Sequence, residues 1–119
     1  MFVVIGAMGV GKTAFINLLK SSKRTCVPKI VEITWPPPRR RGRRFSKKIS
    51  LGIIVVEPNR YSMLFLENMF MAFPPETPKI VILNKVDLID RAAYPDIVQR
   101  AEDFCAQNKC DIFRIFSKR

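Results

Sequence analysis

The sequence predicts an α/β domain with a mostly parallel sheet and helices on both faces, three layers in all. Three observations predict it. Apolar runs of strand length alternate with helix-length amphipathic segments, the pattern of parallel strands joined by crossovers. Two of those runs, Gly52-Ile53-Ile54-Val55-Val56 and Ile80-Val81-Ile82-Leu83, are apolar without alternation, as strands covered on both faces are. At 119 residues, 48% of them apolar, the chain fits a single domain over 1–119 with enough apolar surface for a core.

Phe2-Val3-Val4-Ile5 is the first strand, ending at Gly6. A Gly-rich turn leads into a helix over 12–20, whose apolar face is Phe15, Ile16, Leu18 and Leu19. A β-branched strand over 29–35 follows, stopped by Pro36-Pro37-Pro38. Residues 39–48 carry seven positive charges in ten positions and cannot be core. The strand over 53–56 comes next, then the Pro58-Asn59 turn and a helix over 61–73. Pro74, Pro75 and Pro78 break the chain before the strand over 80–83. A helix over 94–107, with Pro95 in its first turn, and a strand over 112–116 complete the order.

Composition narrows the chemistry. With no histidine there is no Ser–His–Asp or Cys–His unit and little scope for zinc. Cys26, Cys105 and Cys110 fit no zinc spacing and read as reduced thiols. No basic stretch followed by a leader-like apolar run opens the sequence, and no apolar run approaches 18 residues, so a cytoplasmic protein is expected. The net charge of +11 suggests nucleic acid at first sight, yet seven of those charges lie in 39–48 and the rest of the chain carries +4. Only Phe45 stands in that run to stack on a base. A solvated loop is the simplest reading; an acidic protein or an anionic membrane surface is the next, and nucleic acid the weakest.

Gly6-Ala7-Met8-Gly9-Val10-Gly11-Lys12-Thr13 matches G-x-x-x-x-G-K-[ST] in full. Glycines let successive backbone N–H groups turn inward around a phosphate. Lys12 would reach the β- and γ-phosphates, the Thr13 hydroxyl would coordinate Mg²⁺, and the helix would aim its positive end at the anion. Gly6, Met8, Gly9, Val10, Gly11, Lys12, Thr13 and Ala14 are therefore the candidate phosphate site. At the end of the strand over 80–83 stands Asn84-Lys85-Val86-Asp87. A carboxylate at a strand's carboxyl end can accept two hydrogen bonds from guanine N1–H and the exocyclic amine, a pair of donors that adenine lacks.

With both motifs, nearly the whole chain resembles the P-loop small GTPases of the Ras-like, translation-factor-related superclass. The resemblance implies a P-loop NTPase fold and GTP/GDP with Mg²⁺ as ligands. It assigns Asn84 and Asp87 to the base, Lys85 to packing along it, and Ser117 and Lys118, in a degenerate S-A-K loop, to closing the pocket. Thr25, or else Thr34, would stand in for the switch threonine on the metal. The family's D-x-x-G is missing: after Ile33-Thr34 the sequence reads Trp35-Pro36-Pro37-Pro38-Arg39. The shortened sheet, without the usual edge strand and C-terminal helix, also resembles the compact GTPases of ethanolamine- and propanediol-utilisation microcompartments.

These implications leave three functions open. One is a slow GTPase switch. Another is a pseudo-GTPase whose nucleotide is structural and which docks a partner, or a second copy, through helix 61–73. The third is an ATP-binding P-loop protein in which Glu57 is the acid at the end of the strand over 53–56. The helix over 61–73 supports docking because Met63, Leu64, Phe65, Leu66, Met69, Phe70, Met71 and Phe73 exceed one apolar stripe.

Overall fold

The computed structural model describes residues 1–7, 12–20, 29–35, 49–57, 64–84 and 94–115. In chain order the elements are β1 (Phe2–Ala7), α1 (Lys12–Lys20), β2 (Ile30–Trp35), β3 (Leu51–Val56), α2 (Leu66–Met71), β4 (Lys79–Asn84), α3 (Tyr94–Gln107) and β5 (Asp111–Ile115). The strands form one sheet in the order β2-β1-β3-β4-β5, and every neighbouring pair is parallel. This is an α/β fold with a Rossmann-like layout.

Alternation along the central strands explains the unbroken apolar runs. Ile53 and Val55 face the α1 side with Val4, Ile82 and Ile16 of α1. Ile54 and Val56 face the opposite side with Val3, Ile5, Val81 and Leu83. There α2 contributes Leu66, Met69 and Phe70, and α3 contributes Val98, Ala101 and Cys105. Both faces of β3 are thus buried, and apolar side chains are required at successive positions. β2 is an edge strand, and its burial alternates between half-buried and exposed residues.

The strand bounds fall within one or two residues of the expected ones. β1 extends past Ile5 through Gly6 and Ala7 because both continue the pairing with β2, opposite Thr34 and Trp35. α2 ends at Met71, two residues before the expected end of the helix over 61–73, and Leu64 before it is also helical. At its end Ala72 N–H donates to Met69 O at 3.2 Å and Phe73 N–H to Phe70 O at 3.4 Å, contacts that tighten the turn before Pro74. Residues 61–63 lie outside the described residues.

Gly52 is required by a close approach. A Cβ there would lie 2.8 Å from Phe73 Cε1, because the Phe73 ring crosses the strand at this position. The residues after α2 are held to the sheet by Lys79, whose Nζ donates to Thr77 O at 2.9 Å and sits 4.7 Å from the centre of the Phe70 ring. Phe70 meets Phe104 of α3 edge-on, with centroids 5.2 Å apart.

No helix among the described residues is long and apolar enough to cross a membrane.

Candidate functional site

In a parallel sheet all carboxyl ends share one edge. Here β1 and β3 are neighbours whose onward connections run in opposite directions, β1 to β2 on one side and β3 to β4 on the other. Their helices follow suit, α1 on one face and α2 on the other. Such a switch of direction opens a crevice at the strand ends. Ala7, Glu57 and Asn84 end or follow β1, β3 and β4 along that edge, with Asn84 two strands from β1, about 10 Å away.

Lys12 is the first residue of α1 and is only 5% exposed. A cation at this position is doubly disfavoured, since burial strips its hydration and the helix's positive end repels it. No acidic residue stands in the first turn of α1 to offset it. Burial lowers the Lys12 pKa below its ordinary value, and the carboxylate of Glu32 acts in the opposite direction.

Glu32 is the functional candidate that motif reading missed. It lies on β2 opposite Val4 of β1, on the face that carries α1. Thr13 Oγ1 donates to Glu32 Oε2 at 3.4 Å. Lys12, Thr13 and Glu32 therefore form one cluster of cation, hydroxyl and carboxylate at the start of α1. In the sequence, Glu32 looks like the solvent-facing member of an alternating strand. The signal that would have found it is its distance from Trp35: the acid sought after the strand stands three residues earlier, inside it.

The hydroxyl and carboxylate suit a hard divalent cation. Mg²⁺ in such sites takes one or two carboxylates and completes its shell with water and phosphate oxygens, so Glu32, with Thr13, is what this cluster could offer it. No group of three or more His, Cys, Asp or Glu side chains that could hold a metal occurs among the described residues, and such a cation needs none. Thr34 lies opposite Gly6 on the same face as Glu32 and is exposed.

Gly6 is buried at the end of β1, and Asn84 is half-buried at the end of β4 opposite Ile115. Met8, Gly9, Val10, Gly11, Thr25, Lys85, Asp87, Ser117 and Lys118 lie outside the described residues, as do the basic run over 39–48 and the side chain of Ala14. Glu57 is half-buried where β3 ends, one strand from β1 on the side away from Glu32. No protein-family model matches the chain, and no curated protein is significantly similar to it.

Proposed function

We propose that the chain is a guanine-nucleotide-binding protein of the P-loop NTPase fold that takes GTP or GDP with Mg²⁺ at the carboxyl edge of its sheet. The observation that carries this reading is Lys12: a buried ammonium at the N-terminus of the helix that follows β1, beside Thr13 and Glu32. A phosphate would relieve its desolvation and use the helix's positive end at once. The strand order supports the reading too, since the carboxyl end of β1 and Asn84 share one edge with a single strand between them.

In this arrangement Lys12 binds phosphate oxygens as a point charge, and Thr13 and Glu32 would hold the Mg²⁺, which would supply charge neutralisation at the phosphates. Asp87 accepts the two guanine donors, and Asn84 is assigned to the base with it. Phosphoryl transfer is positioning and electrostatics, and the sequence offers no water-positioning side chain after Trp35. Binding with slow or absent hydrolysis follows, either as a slow switch or as a pseudo-GTPase.

Glu32 weakens the ATPase reading based on Glu57, because Thr13 already meets an acid on the other side of β1. Competition of labelled GDP with GTP, ATP and XTP decides the base. GTP should compete and ATP should not, and Asp87→Asn should move the preference to xanthine nucleotides. ATP displacing GDP as well as GTP does would overturn the base assignment. Glu32→Gln should weaken Mg²⁺-dependent nucleotide affinity about 10–100-fold while leaving Mg²⁺-independent binding unchanged. Single-turnover GTP hydrolysis at the rate of buffer alone would select the pseudo-GTPase.

A further inference from the structure

The turn between α3 and β5 lies at the amino edge of the sheet, away from the nucleotide site, and carries two cysteines. Cys110 N–H donates to Cys105 O at 2.9 Å, Lys109 N–H donates to Ala106 O at 3.3 Å, and Lys109 has a φ of 55°. This pair of bonds around one left-handed residue is the closing motif that brings the sixth residue of the turn back onto the first. An apolar contact usually fills that space; here it is occupied by two thiols. Both are free, Cys105 buried and Cys110 half-buried.

We propose that Cys105 and Cys110 form a thiol–disulfide exchange site, with Cys110 the attacking sulfur and Cys105 the resolving one, oxidised by a low-molecular-weight disulfide of the glutathione type. Four features support the assignment. The neighbouring Cys105 thiol lowers the Cys110 pKa and Lys79 adds to that, against burial and Asp111, while Cys110 and burial raise that of Cys105; Cys110 Sγ donates to Asp111 O at 3.6 Å. Continuing the β4–β5 register by one residue puts Lys79 beside Cys110. Cys110 lines an open depression of about 500 Å³ shared with Glu102 and Phe113, so a small disulfide has access to it. The buried Cys105 lines the same depression, which puts the two thiols against one space.

In the first step the Cys110 thiolate attacks one sulfur of the reagent, whose S–S bond breaks and whose other half leaves as a thiolate. The mixed disulfide on Cys110 no longer accepts the Cys105 hydrogen bond, which removes the largest cause holding the Cys105 proton. Cys105 then loses that proton to solvent and attacks the Cys110 sulfur, expelling the second thiolate. The protein loses two S–H hydrogens and gains one S–S bond, and the reagent is reduced to two thiols.

The test uses the native full chain with oxidised glutathione, followed by alkylation of remaining thiols and tryptic mass spectrometry. Trypsin cuts after Lys109, so the disulfide joins the otherwise separate peptides 101–109 and 110–114. The expected result is that linked pair, reversed by dithiothreitol and formed more slowly in urea, with Cys26 alkylated. Cys105→Ser should trap glutathione on Cys110, and Cys110→Ser should leave Cys105 unmodified. Stable glutathione on Cys110 of the wild-type chain, pairing through Cys26, or equal rates in native and denatured protein would each overturn the proposal.

Discussion

Burial of the Lys12 ammonium adds a pH-dependent term to stability. Its pKa in the folded chain lies below the ordinary 10.5, so the unfolded chain binds more protons as pH approaches that value. Stability therefore contains a term that rises with pH between the lowered value and 10.5 and is unfavourable at neutral pH. Lys12→Met should abolish nucleotide binding and yet leave the ligand-free protein as stable as before, or steadier by up to about 1 kcal/mol. Urea melts with and without GDP at pH 7 and pH 10 check both claims: GDP should shift only the wild-type midpoint, and the alkaline rise should be smaller in the variant. Loss of stability in Lys12→Met would mean that the ammonium serves the fold instead. At this scale the sequence was partly legible. Lys12 and Thr13 belong to a contiguous motif whose spacing is itself the chemistry. Glu32 belongs to none, and only the pairing of β2 with β1 brings it to Thr13.

At the scale of elements, α2 shows how an apolar surplus in the sequence is divided in space. Leu66 and Met69 are within 2% of full burial, whereas Leu64 and Met71 are 71% and 70% exposed. Leu66→Ala should cost about 2–5 kcal/mol by removing packing against the sheet. Met71→Ser should change stability by less than about 0.5 kcal/mol. Thermal melts of the two variants separate the inner face of α2 from its outer one. The Gly52–Phe73 contact makes a second prediction: Gly52→Ala should destabilise by about 1–3 kcal/mol, because the new methyl group must displace a ring that is 4% exposed. Gly52→Ala combined with Phe73→Leu should recover part of the loss. The strands were legible because covering both faces of β3 and β4 dictates apolar residues throughout. The length of α2 was not, since its i→i−3 closing bonds depend on the turn geometry before Pro74 rather than on apolar spacing.

At the scale of the whole molecule, the order β2-β1-β3-β4-β5 gathers the carboxyl ends of all strands into one edge and leaves the cysteine turn at the other. Alternating strand and helix signals imply parallel crossovers and hence a common edge, which is why this much could be read in advance. Strand order is a long-range property of packing that the sequence pattern does not encode. The inner place of β1, between β2 and β3, also bears on how the chain is made. Phe2 pairs with Ile30 on one side and Leu51 on the other, so β1 is flanked on both sides by strands synthesised after it. Val3, Val4 and Ile5 then stay exposed until residues through Val56 have emerged, and each pairing must close a long loop before it is rewarded. A nascent fragment ending at Ser50 should show no amide protection in β1, whereas one long enough to include β3 and β4 should. That delay sets a period during synthesis in which an apolar segment is open to contacts other than its own.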